Sequence, residues 1–416
     1  MGNQGALGIQ STADQHEPEE IPGLPPDVAA VGAGHFCSFA ATAEGQLWSW
    51  GRNAEGQLGR ALAEHEFGCS AEPQPVDALA RQQVVAATGS GVASFALCRD
   101  GAVFAFGSSK RGQLGLGLGV RHTTDPQQLC LPAAATQVSA GWGHAAALLE
   151  DGSLWTWGWP ASGRLGHTFA ASAEDEEEGR LAERCCWEPR PVEALRGVRI
   201  TQVACGFDHT MALAADGTLF TFGDSSLGQL GRAAQGRGEH LAPRSAHSWA
   251  VNPETSCGPR LKFARVAAGL GHCLGVLGDG SVASWGWNSA GQLGLGQFVT
   301  DECVDKPTPI YGIPSNRHAL VAAGRVHSVL ASDELGGPLP LRSAGSGAGE
   351  ATEEPGEPTI PTMVFSWGSA DRGRLGNNMY ESSAVPELVP DLDGEEVLQL
   401  ACGLDHSLAL IKCQPG

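Results

Sequence analysis

No apolar run in this 416-residue chain reaches the ~18–20 residues that a membrane-spanning helix needs. The first twenty residues, MGNQGALGIQSTADQHEPEE, have neither the basic start nor the apolar centre of a secretory leader. Ala6 stands where a myristoylation signal carries Ser or Thr. The expected setting is intracellular, nuclear or cytoplasmic, without membrane attachment. Basic charge is scarce as well: 26 Lys and Arg face 46 Asp and Glu, for a formal charge of −20. No basic run or tail is present, so direct nucleic-acid binding is not expected. An acidic field suits a basic protein partner instead. None of the twelve cysteines forms a Cys-x-x-Cys pair, which removes zinc-ribbon and thioredoxin-like readings. A redox role for the adjacent Cys185 and Cys186 is the weaker reading in a reducing compartment. Gly-x-Ser-x-Gly, His-Glu-x-x-His and the dinucleotide fingerprint are all missing, and no amphipathic helix of useful length is seen. No catalytic residue, metal or cofactor is expected.

What is present is a repeat. SAGWGHAAALLEDGSLWTWGWPASGRLG starts at Ser139, and close variants start at Ala204 and Ala267. The unit runs small-Gly-x-x-His, an apolar stretch, Asp-Gly, a second apolar stretch ending Trp-Gly or Phe-Gly, then Gly-Gln-Leu-Gly. Asp-Gly between two short apolar runs predicts a two-residue hairpin turn, with φ positive at both central residues. It occurs at Asp100-Gly101, Asp151-Gly152, Asp216-Gly217 and Asp279-Gly280, with Glu44-Gly45 in the first copy. In SLWTWG the alternation puts Leu154 with Thr156 on one face and Trp155 with Trp157 on the other.

The aromatic ends are Trp50, Phe106, Trp157, Phe222, Trp285 and Trp367. A recurrent ring with nothing to bury it inside one hairpin predicts a wall between neighbouring sheets. Gly-Gln-Leu-Gly, or Gly-Arg-Leu-Gly at 163–166 and 373–376, predicts a tight backbone crossing with its leucine pinned inward. The histidine slot holds His144, His209, His272, His327 and His406, with Cys37 and Ala93 in the first two copies. One histidine per sheet reads as a repeated structural hydrogen bond rather than a converging metal site. Cys205 and Cys402, like Ala140, Ala268 and Ala323, fill a slot for a small buried residue just before the repeat glycine.

Seven units follow, and they predict an all-β, seven-bladed propeller in a single domain. The blades fall near 27–79, 80–133, 134–196, 197–262, 263–315 and 316–394, with 395–416 and 1–26 sharing the last. The seventh unit ends near Ile411 without its Trp-Gly strand, and Gly5–Gly8, GALG, has the spacing to supply its crossing. Either that blade lacks a strand or the sequence begins late.

This ordered set resembles the regulator of chromosome condensation repeat family, over about residues 30–411 and the first eight. GVASFALCRDG, KRGQLGLG and AGRVHS look most like plant members. WD and kelch propellers are rivals, but their signatures are out of register here. The resemblance implies a seven-bladed propeller. The family's founding member is an exchange factor for the small GTPase Ran that docks on nucleosomes. Others are interaction platforms or a plant UV-B photoreceptor. That photoreceptor carries Gly-Trp-Arg-His in successive blades. Here its Trp slot holds His35, Trp142, Phe207, Leu270, Arg325 and Leu404, so the photoreceptor reading is disfavoured.

Function is expected in the inserts that make the units unequal. Residues 169–190 are acidic, and Asp175, Glu176, Glu177 and Glu178 are candidate contacts for a basic partner or a GTPase. Residues 231–261 form the one locally basic stretch, with Arg232, Arg237 and Trp249 as candidates. Residues 333–362, rich in Gly, Pro, Ser and Glu, are expected to be a disordered loop. The reading is a monomeric, non-enzymatic platform. It would bind a protein, a basic chromatin protein or a small GTPase, through one rim. The alternative is guanine-nucleotide exchange on a Ran-like GTPase.

Overall fold

The computed structural model describes residues 4–63, 66, 68–167, 185–232, 244–245, 261–297, 299, 301–333 and 362–412. The alternating apolar stretches become antiparallel strands, and each repeat becomes a sheet read from the axis outward. Blade one is β1 (Val28–Ala33), β2 (Cys37–Thr42), β3 (Leu47–Arg52) and β4 (Cys69–Pro75). Blade two is β5 (Val84–Gly89), β6 (Ala93–Cys98), β7 (Val103–Ser108) and β8 (His122–Gln128). Blade three is β9 (Ala135–Ala140), β10 (His144–Leu149), β11 (Leu154–Gly158) and β12 (Cys186–Pro191). Blade four is β13 (Ile200–Cys205), β14 (His209–Ala214), β15 (Leu219–Gly223) and β16 (Arg244–Ser245). Blade five is β17 (Phe263–Ala268), β18 (His272–Leu277), β19 (Val282–Trp287) and β20 (Cys303–Ile310). Blade six is β21 (Leu320–Ala323), β22 (His327–Asp333), β23 (Thr362–Gly368) and β24 (Ser383–Leu388).

The architecture is an all-β propeller, but the expected seven blades are corrected to six. Among the described residues the last repeat gives only a two-stranded sheet, β25 (Val397–Cys402) with β26 (Ser407–Ile411). Among the described residues the N-terminal segment adds no strand to this sheet. Residues 4–8 make only a tight turn, and no strand precedes β1 among the described residues. That turn does the work of a crossing all the same. The Ala6 carbonyl accepts from Ser38 Oγ at 2.7 Å and from Trp50 Nε1 at 2.9 Å.

The hairpin turns are also corrected. Gly101 N–H donates to the Cys98 carbonyl and Cys98 N–H to the Ala102 carbonyl, so the loop has three residues, with only glycine left-handed. The aspartate keeps negative φ. Its Oδ1 instead caps the backbone N–H two residues on, as Asp100 does for Ala102 and Asp151 for Ser153.

The junctions between sheets hold the core. All six repeat aromatics are fully buried. Burying one such ring contributes about 4–6 kcal/mol before entropy. Each ring lies on the last glycine of the preceding crossing. A Cβ built on Gly115 would stand 2.9 Å from the Trp157 ring, and one on Gly294 2.8 Å from Trp367. The indole N–H of Trp157, Trp285 and Trp367 donates to the carbonyl of Gln113, Gln229 and Gln292, at 2.9–3.0 Å. The crossing leucines, Leu58 through Leu375, are buried as expected.

The repeat histidines complete each junction. His272 Nε2 meets Ser328 Oγ of the next blade at 3.0 Å, and that hydroxyl donates to the Gln292 carbonyl at 2.9 Å. The hydroxyl's proton is already committed, so the imidazole must donate, which fixes the Nε2–H tautomer. His144 pairs likewise with Thr210, His209 with Cys273, His327 with Ser407 and His406 with Ser38. Where the slot is Ala93, the facing residue on the next blade is Ala145, so both partners are apolar and neither is left orphaned. The glycine three residues before each histidine is required by contact. A Cβ on Gly206 would sit 2.1 Å from the His209 ring.

Candidate docking face at the propeller axis

Each first strand ends in the Gly-x-x-His turn, and these turns meet around the axis on one face. Their backbones bond in sequence around the axis. His35 N–H donates to Ser90, Trp142 to Phe207, Leu270 to Gly324, Arg325 to Leu404, and Leu404 to His35. The first x residue of each turn therefore points to the axis. At three turns it is aromatic. Trp142 stacks on Phe207 at 4.8 Å and on His35 at 5.4 Å, with interplanar angles of 18° and 7°. His35 and Phe207 lie 6.1 Å apart at 12°.

His35 and Trp142 belong to blades one and three. They touch because blade two places Gly91 between them, where a Cβ would stand 2.7 Å from the indole. Burial, then the nearby Arg325 charge, pushes the His35 imidazole down to about 4, so it is neutral and behaves as a third aromatic ring. Trp142 is 36% exposed, the largest aromatic surface at this centre.

Around the rings lies a charged rim. Arg111 and Arg164 both lie over the Trp159 ring, at 3.9 and 4.6 Å from its centroid. Arg164 pairs with Asp208. Arg52 lies 5.6 Å from the Phe36 ring and pairs with Glu55 at 2.9 Å. Asp405, buried, takes Arg374 at 2.9 Å and Arg325 on both oxygens. The two Gly-Arg-Leu-Gly crossings thus meet the two Asp-His turns, Arg164 with Asp208 and Arg374 with Asp405. Gly-Gln-Leu-Gly crossings meet turns whose residue before the histidine slot is uncharged, and Gln57 Nε2 donates to the Gly91 carbonyl at 3.4 Å.

Below the rings an axial cavity of about 270 Å³ is walled by the first strands. The small-residue slot expected to be packed away lines this cavity instead: Ala140, Cys205, Ala268, Ala323 and Cys402 all border it. Burial pushes the Cys205 and Cys402 thiols up to about 12, so neither supplies a thiolate. Cys185 and Cys186 are buried, with Cys186 raised to about 11 by burial.

Of the partner-contact residues expected from the sequence, Arg232 is buried at the end of its crossing. Arg237, Trp249, Asp175, Glu176, Glu177 and Glu178 lie outside the described residues, as does 334–361. The sequence places His35, Trp142 and Phe207 in one repeat slot without showing that they stack, and it gives no expectation for Trp159, Arg111 or the two Arg–Asp pairs. A signal for the pairs was present: Arg replaces Gln in a crossing just where the next repeat carries Asp before its histidine.

Comparison with known proteins agrees with this architecture. The RCC1-like domain matches residues 1–352, and the regulator of chromosome condensation (RCC1) repeat matches residues 363–410. The human E3 ubiquitin-protein ligase HERC2 is 28% identical over 91% of this chain, which spans only 7% of the ligase. The Bos taurus secretion-regulating guanine nucleotide exchange factor is 29% identical, covering 74% of this chain and 72% of its own length. Saccharomyces cerevisiae Prp20p, whose structure was described together with its binding to Gsp1p and histones, superposes with a TM-score of 0.77. It is 22% identical, covering all of this chain and 90% of Prp20p. With junctions, turns and repeats in agreement over most of its length, the chain belongs to the regulator of chromosome condensation (RCC1-like) family.

Proposed function

We propose that this protein is a non-enzymatic interaction platform that binds a protein partner through its axial face. The observation that carries this reading is the exposed Trp142 ring, stacked on half-buried His35 and Phe207 with ion-paired arginines nearby. Aromatic anchors at a centre, with charged groups around them, are what protein interfaces use for most of their binding energy. The formal charge of −20 favours a basic partner, such as a chromatin protein. The repeat histidines are buried and neutral, so they offer the face no acid–base chemistry. The second reading, guanine-nucleotide exchange on a Ran-like GTPase, is supported by the coverage and identity shared with the bovine exchange factor.

The test is a paired assay of the full chain: capture of histone octamers, and GDP release from Ran-like GTPases. Trp142→Ala is expected to weaken capture at least tenfold without moving the thermal midpoint. Unchanged capture would remove the axial face from the interface. Acceleration of GDP release at catalytic concentrations would favour exchange over the platform. Substituting Arg232, Arg237, Trp249 or the Asp175–Glu178 run in the same assay tests the two long inserts as further contacts.

A further inference from the structure

The first strands follow a rule of their own, and one position breaks it. Gln137, Gln202 and Gln399 each stand four residues before the repeat glycine of their turn and border the axial cavity. Each amide holds both backbone groups of one residue on the next first strand. Gln137 holds Val203 at 2.9 and 3.0 Å, Gln202 holds Val266 at 3.1 and 2.8 Å, and Gln399 holds Val31 at 3.0 and 2.8 Å. That bond pair needs an acceptor and a donor in one side chain. On β17 the same position is Arg265, and its register partner on β21 is Val321. A guanidinium only donates, so it cannot cap the Val321 N–H. Arg265 is half-buried, and among the described residues it has neither an ion pair nor a hydrogen bond. Its neighbours around the axis offer no acceptor. Gln202 is engaged with Val266, and the matching residue of β21 is Leu320. Burial lowers the pKa of the Arg265 guanidinium, and no carboxylate opposes the shift. A leucine, as in blade six, would fill the position without the cost of an unpaired charge.

More donors gather beside it. Where the chain enters β21, exposed Arg317 donates from Nε to His318 Nε2 at 3.0 Å. His318 Nε2 is therefore the acceptor, and the ring proton sits on Nδ1 as a further donor. Burial first, then the Arg317 and Arg265 charges, push His318 below its usual value, against a smaller pull from Asp333. That carboxylate is buried and accepts from Asn316 Nδ2 at 3.0 Å. Other cations at the same end of the propeller are paired, Lys262 with Asp216 at 2.8 Å and Arg196 with Glu193 at 3.5 Å. Arg265 and Arg317 have no carboxylate partner among the described residues, in a chain with 46 acidic residues to 26 basic ones. The cluster lies where the first strands begin, at the opposite end of the axis from the aromatic stack, so it is separate from the docking face.

We infer that Arg265, Arg317 and His318 form a binding site for a phosphate group at the junction of blades five and six. Two guanidinium forks and an imidazole N–H supply more donors than the two oxygens of a carboxylate can use. A phosphate dianion brings enough oxygens for them, and its charge balances both arginines. Free phosphate and a phosphorylated side chain present the same group to these donors.

The experiment is calorimetric titration of the full chain with inorganic phosphate and, separately, with O-phosphoserine, in chloride buffer of fixed ionic strength. Saturable binding with a Kd of about 1 mM or tighter is expected. Tighter binding of O-phosphoserine than of phosphate would support the site as one for a phosphorylated side chain. Arg265→Leu and Arg317→Met should each weaken binding at least tenfold, and Arg196→Ala should leave it within twofold. Arg265→Leu repeats the residue that blade six carries at this position, so its thermal midpoint in phosphate-free buffer should equal or exceed that of the parent. Loss of binding is then not loss of the fold. The inference is overturned if neither ligand saturates by about 10 mM, or if Arg265→Leu binds within twofold of the parent. It is also overturned if Arg196→Ala weakens binding as much as Arg265→Leu, which would mean diffuse attraction. A lowered midpoint for Arg265→Leu overturns it too, because Arg265 would then hold the fold rather than a ligand.

Discussion

At the residue scale, each repeat histidine trades charge for a hydrogen bond. Burial lowers His209 to about 4 and His272 and His406 to about 3, with His144 and His327 also well below the usual value. The unfolded chain keeps its histidines near 6.5, so below that pH it binds protons that the folded chain refuses. Stability is therefore complete above pH 6.5 and drains away as the pH falls toward the folded values of 3–4. Each histidine withdraws about 1.4 kcal/mol per pH unit in that window. Thermal unfolding is expected to be flat from pH 8 to 7 and to drop steadily from 6.5 to 4. An unchanged midpoint between pH 7 and 5 would mean that these rings are not buried neutral.

At the scale of the element, a crossing and the turn it faces act as one unit. Asp405 and Arg374 have side chains 1% and 4% exposed, so neither tolerates loss of the other. Asp405→Ala is expected to destabilise by about 3–5 kcal/mol, because it strands a buried guanidinium. Adding Arg374→Gln recreates the uncharged pairing of the Gly-Gln-Leu-Gly junctions and should recover at least half of the loss. Calorimetric unfolding of the two variants checks this; a double variant no better than the single would show that the pair does not act as a unit. The same scale separates what the sequence made legible from what it hid. Periodicity, Asp-Gly and the aromatic-Gly ends were enough for strands, hairpins and junction rings, because each is a local property of a few residues. The turn type was misread, since Asp-Gly also suits a three-residue loop whose aspartate caps the backbone. The aromatic centre was hidden because His35, Trp142 and Phe207 lie in three different repeats, and only closure around the axis brings them together.

For the whole molecule, counting repeats overstated the number of blades. A repeat motif records the Gly-x-x-His turn and its two flanking strands, and Val397–Ile411 carries those without a third and fourth strand among the described residues. The ring is nevertheless continuous from blade six through β25 and β26 to blade one. Gln399 bonds both backbone groups of Val31, at 2.8 and 3.0 Å, as Gln137 does with Val203. The docking face depends on that continuity, since its three rings come from blades one, three and four. The direct test is hydrogen exchange of the indole N–H groups by NMR. Trp50, Trp157, Trp285 and Trp367 should exchange together and only through global unfolding, while Trp142 exchanges freely. Fast exchange at Trp50 alone, with the other three protected, would contradict the account, because its indole bond to Ala6 joins the N-terminal segment to blade one.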